Sequence, residues 1–339
     1  MKDSRITRRG FLKGVCVGTG AVLGNSCFVL ANTNATESMR KFHLAFTQKV
    51  QFETAQKVNL WSPLALPHSF QTPYNLKVSG NHSSYRIDNA SNTPILHATW
   101  DEGSTKTKQL QISFDIVSRF TQDSFDSATR QVLPSHAQDR YIRTDGRIGE
   151  IAGAITQNSY SDIQKAKTIF AWVAENIPQQ EARNTHGIRS IKDKSGEVII
   201  RGEDLSATSV FVGMCRAVGL EAYEGFGLKM DGGRYSKAKL DKPEFYTRSV
   251  VKIGNTWVPN DILLAIEALG TADSKNSRAI SELAFDTWDN NWVLFNFSRD
   301  IALKDSQALL STIQSVYGEI DGTKLSSYND THFAGYVIA

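Results

Sequence analysis

The stretch that most constrains the fold is residues 201–227, which predicts one buried helix followed directly by a strand. Apolar residues recur at helical spacing in its middle, so one face of the helix is expected to be buried. These apolar residues are Val210, Phe211, Met214, Cys215 and Val218. We expect the helix to begin near Asp204 and to end at Gly219, a residue type that often caps helix C-termini. Residues 220–227 then read as a strand.

The end of this helix resembles a motif of the transglutaminase-like superfamily, specifically of its bacterial cysteine-peptidase type. The matching residues, 211–222, read FVGMCRAVGLEA. When residues are counted back from Arg216 without gaps, the resemblance places the family's nucleophilic cysteine at Asp204. If two residues are inserted before Val210, it places that cysteine at Gly202. Neither position holds a cysteine.

The helix N-terminus matters chemically because its unpaired N–H groups and its dipole lower the pKa of a thiol. An aspartate at this place gains the same stabilisation as an N-cap but is a poor nucleophile toward amides. Asp204 is therefore expected to be a helix cap, with remodelled carboxylate chemistry as the alternative.

Residues 246–261 predict two strands joined by a Gly254-Asn255 turn. They read YTRSVVKI, then GNT, then WVPND, and resemble the family's segment that carries the catalytic histidine and its orienting acid. The resemblance places these two residues at Tyr246 and Asp261. Since tyrosine has an ordinary pKa of about 10, Tyr246 is expected to donate a hydrogen bond rather than act as a base. Tyr246 either packs over the helix or contacts a ligand, and the sequence allows both interpretations.

Two other residues are candidates to replace the family's catalytic histidine and cysteine. His186 lies in a polar loop, where a solvent-exposed histidine without a catalytic role is the more frequent case. Cys215 lies on the apolar helical face, where a free cysteine packs as a small hydrophobe and its pKa is raised. The alternative for Cys215 is an active thiol enzyme. No histidine or cysteine spacing is typical of a metal site, and no cofactor is predicted.

Residues 1–31 are predicted to be a twin-arginine signal peptide. Arg8 and Arg9 precede a weakly apolar segment that ends in Val29-Leu30-Ala31, a small-residue cleavage site. The segment is too short and too polar for a permanent membrane span. We therefore expect a periplasmic or secreted protein that begins near Asn32 and has no membrane span.

The mature chain is expected to be almost uncharged. Residues 1–31 hold five of the 38 basic and one of the 35 acidic side chains, which leaves 33 and 34 and a formal charge of −1. Nothing in this balance favours a nucleic acid as partner. Removal of Cys16 and Cys27 also leaves Cys215 alone, so no internal disulfide is expected.

We predict an α+β protein with a transglutaminase-like, papain-like core behind a small antiparallel β-sandwich. The predicted parts after the signal peptide are the β-sandwich at 40–121, a linker at 122–147, the core at 148–265 and a helical and aromatic extension at 266–339 that packs on the core. Short alternating runs support the first part, and a capped helix over 161–177 with one apolar stripe supports the core.

An aromatic segment over 288–303 also resembles the family, and its side chains either line a groove or pack in the core. The groove candidates are Arg248, Trp257, Trp288 and Trp292. The predicted function is a non-catalytic binding or accessory protein that holds a peptide or a cell-envelope partner in this groove. The alternatives are a hydrolase or transferase that uses Asp204, Tyr246 and Asp261, and a thiol enzyme that uses Cys215.

Overall fold

The computed structural model describes residues 39–51, 57–122, 124–125, 131, 133–134, 140–183, 186–230, 244–270, 274–325 and 333–338. The predicted signal peptide lies outside these ranges. No helix within them is both long enough and apolar enough to cross a membrane.

The described ranges contain six helices and nineteen strands. The helices are α1 (Arg147–Thr156), α2 (Asp162–Asn176), α3 (Gln179–Ala182), α4 (Ala207–Ala217), α5 (Ile262–Leu269) and α6 (Ser274–Leu283). The strands are β1 (Met39–Gln51), β2 (Val58–Pro63), β3 (Gln71–Gly80), β4 (Ser84–Ala90), β5 (Thr93–Trp100), β6 (Thr107–Arg119), β7 (Thr121–Gln122), β8 (Ile188–Lys192), β9 (Val198–Glu203), β10 (Ala222–Lys229), β11 (Glu244–Ile253), β12 (Thr256–Asn260), β13 (Thr287–Trp288), β14 (Trp292–Asn296), β15 (Ile301–Ala302), β16 (Leu309–Leu310), β17 (Tyr317–Ile320), β18 (Thr323–Leu325) and β19 (Phe333–Ile338). Helices and antiparallel sheets occur together, so the predicted α+β class is confirmed.

The N-terminal strands form two antiparallel sheets around one apolar core. One sheet has the order β19-β1-β6-β3 and the other has the order β18-β17-β2-β5-β4. In β6 every second side chain is buried, the alternation expected of a strand with one face on the core. Leu110 and Ile112 from one sheet share this core with Leu60 and Leu96 from the other.

The last strands of the chain belong to this sandwich. The prediction placed all of residues 266–339 in an extension that packs on the core domain at 148–265, and these strands differ from it. Only the first part of the extension fits that prediction, because β14 pairs with β10 in the core sheet. Strand β17 pairs with β2, with Tyr317 opposite Trp61, and β19 pairs with β1. Strands β1 and β2 would otherwise present unpaired edges, and a strand that returns from the C-terminal part covers each of them.

The core sheet has the order β12-β11-β10-β14 and carries the helices of the second half. Strands β11 and β12 form the predicted hairpin, in which Ile253 pairs with Thr256 across the turn. Gly254 has a φ of 59°, a left-handed conformation that glycine adopts without strain. This hairpin places Tyr246 near its open end and Asp261 just past its last strand.

Helix α4 packs against the core sheet and against α1. Its predicted apolar face is buried, and Val210, Phe211, Met214 and Cys215 are each 0% exposed. Gly213 permits the close approach to α1, because a Cβ atom added there would lie 2.8 Å from the Ile148 side chain and 3.0 Å from a backbone oxygen. The helical spacing therefore predicted the burial of these four residues, but Val218 is only partly buried, and the other residues of 207–215 are buried as well.

The start of α4 differs from the prediction. The helix begins at Ala207 with Ser206 as its N-cap, rather than near Asp204. Asp204 cannot belong to the helix because its φ is 52°, in the left-handed region. Asp204 instead sits just after β9, in the short connection that leads into α4.

Candidate functional site

Hydroxyl groups surround the N-terminus of α4, where a nucleophile would be stabilised. Ser206 and Ser209 form a reciprocal capping box, in which the Ser206 N–H donates to Ser209 Oγ over 3.0 Å. Ser209 Oγ in turn donates to Glu224 Oε1 over 2.6 Å. Ser206, Thr208 and Ser209 are each 0% exposed, so this helix terminus is closed to solvent.

Thr247 is the residue of β11 that contacts this helix terminus. Its Oγ1 lies 3.0 Å from Ser206 Oγ and 2.9 Å from Thr208 Oγ1. Successive residues of a strand point to opposite faces, and β11 pairs with β10 without a bulge. Tyr246, at the position of the family's histidine, therefore points away from the start of α4.

A buried ion pair covers the same helix terminus from the other side. Arg299 Nε lies 2.5 Å from Glu224 Oε2, and the two side chains are 3% and 2% exposed. Arg299 also donates to the backbone oxygens of Glu203 and Asp204 over 3.1 and 3.0 Å. The space in front of α4 is thus occupied by the protein's own side chains.

Asp204 belongs to a separate cluster and does not cap α4. It accepts a hydrogen bond from the Gly187 N–H over 2.8 Å and another from Ser311 Oγ. His186 Nδ1 lies 3.5 Å from its Oδ1. Burial alone would raise the pKa of Asp204, but the contacts with His186, Ser311 and Gly187 outweigh it and lower the pKa. The predicted N-cap role of Asp204 is wrong, since Ser206 performs it.

Gly202, the second position considered for the nucleophile, lies within β9 opposite Arg189. A Cβ atom at Gly202 would lie 2.7 Å from the Tyr141 side chain. The absence of a side chain lets the Tyr141 ring pack against the strand. Gly202 is therefore a packing position rather than part of a catalytic site.

Tyr246 and Asp261 are hydrogen-bonded to each other inside the protein. The Tyr246 hydroxyl donates to Asp261 Oδ1 over 2.8 Å, and Asp261 also accepts from the Leu264 N–H as the N-cap of α5. Burial and then the charge of Asp261 raise the pKa of Tyr246 well above its ordinary value. Tyr246 therefore stays protonated, and its predicted role as a donor is supported by this geometry.

Arg248 connects this pair to a second carboxylate. Its Nε lies 2.9 Å from Asp261 Oδ2, and its other nitrogens donate to Asp289 Oδ1 and to the Asp289 backbone oxygen over 2.7 and 3.0 Å. Burial raises the pKa of Asp261, against the effect of the Arg248 charge. Burial opposes ionisation of Asp289 too, but Arg248 is strong enough to lower its pKa. One buried cation thus contacts the buried carboxylate of Asp261 and the largely buried carboxylate of Asp289.

The four residues predicted to line a groove are buried. Arg248, Trp257, Trp288 and Trp292 are 3%, 2%, 0% and 0% exposed, so none of them lines an open surface. The indole N–H of Trp288 donates to Asn260 O, and that of Trp292 donates to Tyr246 O. Because both N–H groups have internal acceptors, the rings can be buried completely. Their burial favours packing in the core over a role in an open groove.

Cys215 lies in the apolar core, two turns past the start of α4. It is 0% exposed and packs within the largest hydrophobic cluster. Burial raises the pKa of its thiol far above the ordinary value, and Arg216 lowers it only slightly. Such a thiol is neither ionised nor accessible to a substrate, which supports a packing role for Cys215.

Asp204 shares no contact partner with Tyr246 or Asp261 among their described contacts. Asp204 contacts His186, Gly187 and Ser311. Tyr246 is hydrogen-bonded to Asp261, and Asp261 forms an ion pair with Arg248. A carboxylate pair that works by acid-base catalysis must face open solvent. Asp204 and Asp261 are only 7% and 2% exposed. Within the described ranges no group of three or more histidine, cysteine, aspartate or glutamate residues is arranged to hold a metal ion.

The sequence analysis did not identify the hydroxyl and ion-pair residues around α4. For two of them, Ser206 and Ser209, the sequence does contain a signal. Ser206 and Ser209 stand three residues apart directly before an apolar run, the spacing of a capping box. Glu224 and Arg299 are 75 residues apart. Nothing local in the chain shows that those two side chains meet.

Comparison with known proteins agrees with the fold of the second half. Residues 149–262 match the model of the transglutaminase-like superfamily, so this part of the chain is a transglutaminase-like domain. The range covers α1 to the start of α5, which includes the helix and the hairpin described above.

A curated relative and a solved structure are also similar to this chain. An uncharacterized protein of Haemophilus influenzae is 24% identical over 348 residues, which is 89% of this chain and 93% of that protein. The crystal structure of "a Putative Cysteine Protease from Cytophaga hutchinsonii" superimposes with a TM-score of 0.43 at 11% identity, over 89% of this chain and 99% of the other.

Proposed function

We propose that this chain is an exported, non-catalytic binding or accessory protein of the cell envelope. The observation that carries the proposal is the closed state of the transglutaminase-like site. The positions that the resemblance assigns to the nucleophile, the base and the orienting acid hold Asp204, Tyr246 and Asp261. Each of them is buried and hydrogen-bonded within the protein. A residue that substrate cannot reach, and whose polar atoms already have partners, has no catalytic use there.

The twin-arginine pattern at Arg8 and Arg9 supports the proposed export. The proposed location is the periplasm or the medium, and the proposed partner is a peptide or another envelope protein. Because Trp288 and Trp292 are completely buried, recognition is proposed to use other surfaces of the molecule.

An acyl-transfer assay tests the proposal. The purified chain from Asn32 onward is incubated with a glutamine-containing peptide and a primary amine, and products are followed by mass spectrometry. We expect neither amine incorporation nor hydrolysis above the protein-free blank. Asp204→Asn and Asp261→Asn are assayed in parallel. A product that scales with protein concentration and disappears in either variant would establish the carboxylate enzyme instead.

The same Asp204→Asn variant should be less stable by about 1–3 kcal/mol at neutral pH, because an amide cannot accept all the hydrogen bonds that the carboxylate accepts. The pKa of Asp204 is lower in the folded protein than in the unfolded chain, where it is about 3.9. The ionised carboxylate therefore stabilises the fold at pH values above about 3.9, and this stabilisation is lost as the pH falls through the pKa of the folded state. Urea unfolding should therefore show a difference between wild type and variant that shrinks in acid. Asp101→Asn, at an exposed position, is the matched control and should change little.

A further inference from the structure

Strand β4 forms a free edge of the sandwich. It is the last strand of its sheet, and in the described ranges no strand pairs with its outer side. Nine large apolar side chains are exposed in those ranges, and two of them, Tyr85 and Ile87 at 49% and 50%, lie on this seven-residue strand. Both are directly opposite buried residues of β5, namely Ala98 and Leu96. The core-facing side of β4 is thus partly open to water.

Proteins usually protect such edges, and the contrast with β3 is informative. Strand β3 is the edge of the other sheet and carries Pro73, Lys77 and a bulge between Tyr74 and Lys77. Proline, lysine and bulges are the devices that prevent one edge from pairing with another. Strand β4 contains no proline and no lysine, and it pairs with β5 without a bulge. It keeps the regular edge that β3 lacks.

The charges on β4 are self-complementary in one register only. When two copies of β4 run antiparallel about a two-fold axis at Ile87, Arg86 of each copy lies opposite Asp88 of the other. An axis at Arg86 would place two arginines opposite each other, and an axis at Asp88 would place two aspartates opposite each other. The side chains of Arg86 and Asp88 are 35% and 22% exposed, so both can be reached.

We propose that two copies of this chain associate by antiparallel pairing of β4 with β4, centred on Ile87. The pairing joins the two sheets edge to edge and covers Tyr85 and Ile87 of both copies. Within one copy, Arg86 already contacts Asp88 and Asp305, and Lys304 Nζ lies 3.9 Å from Asp88. The pairing adds a cross-strand partner to these charges. A seven-residue edge buries a modest area, so a weak and concentration-dependent dimer is expected.

Analytical ultracentrifugation at low ionic strength over a concentration series tests the pairing. Wild type should form a dimer, and Arg86→Asp and Asp88→Arg should each weaken association by about tenfold or more, because like charges then meet across the axis. Mixing the two variants should restore association, since each chain of the mixed dimer meets the opposite charge. Ile87→Lys should remove the dimer, and Ile188→Lys, at an exposed residue of β8, should leave it unchanged.

Circular dichroism and thermal melts show whether each variant is folded before its association is compared with that of wild type. A monomeric wild type at every concentration would overturn the proposal. So would a dimer that survives Ile87→Lys, which would place the contact elsewhere. Failure of the mixed charge variants to associate, while wild type does, would reject the antiparallel register.

Discussion

Replacing Arg248 with methionine should lower the free energy of unfolding by about 3–5 kcal/mol. Methionine fills a similar volume beside the Trp292 ring, over which the guanidinium lies at 5.1 Å. It offers no charge, so the carboxylates of Asp261 and Asp289 stay buried without their shared cation. Removing one member of a buried ionic group leaves the other charges uncompensated, which costs more than the group itself contributes.

Chemical denaturation monitored by tryptophan fluorescence measures the Arg248→Met effect. Arg143→Met is the matched control, because Arg143 pairs with Asp145 on the surface and both side chains are about two-thirds exposed. The control should change stability by less than about 1 kcal/mol. A loss below that figure for Arg248→Met would show that the buried network is not formed as described.

Replacing Arg299 with methionine should cost a similar amount, about 3–5 kcal/mol. The substitution leaves Glu224 buried without its cation and removes the donors to Glu203 O and Asp204 O. The connection between β9 and α4 then loses one of its two described contacts with the C-terminal part of the chain, while the hydrogen bond from Ser311 to Asp204 remains. The first turn of α4 should then open more often. The amide hydrogen of Ser209 should therefore exchange with solvent faster in Arg299→Met than in wild type.

A double-mutant cycle distinguishes this ion pair from simple loss of packing. Glu224→Gln combined with Arg299→Met removes both charges, so the double variant should be no less stable than Arg299→Met alone. Fully additive losses would contradict an interaction between the two side chains at 2.5 Å.

The sequence predicted the elements that local patterns determine. The apolar face of α4 follows from helical spacing, and the β11–β12 hairpin follows from the Gly254-Asn255 turn between two β-rich runs. The C-terminal strands were not predictable in the same way. Tyr317 pairs with Trp61 more than 250 positions earlier, and no local signal encodes such a pairing.

The candidate site was predicted less well, for physical reasons that concern particular residues. Asp204 is an acceptable N-cap by residue type, but its left-handed backbone places it before the helix, and Ser206 becomes the cap. Trp288 and Trp292 suggest a groove by composition, yet internal acceptors for their indole N–H groups allow complete burial. Arg248 and Asp289 are 41 positions apart in the sequence and come into contact only when the chain folds.

Alkylation of Cys215 in the native protein tests most directly whether a working thiol catalyst remains. In a chain that begins at Asn32, Cys215 is the sole cysteine, so intact-mass spectrometry reports on it alone. The buried thiol should give no adduct with iodoacetamide under native conditions and one adduct per chain after unfolding. Rapid adduct formation by the folded protein would place an accessible, reactive thiol in the transglutaminase-like domain and contradict the non-catalytic account.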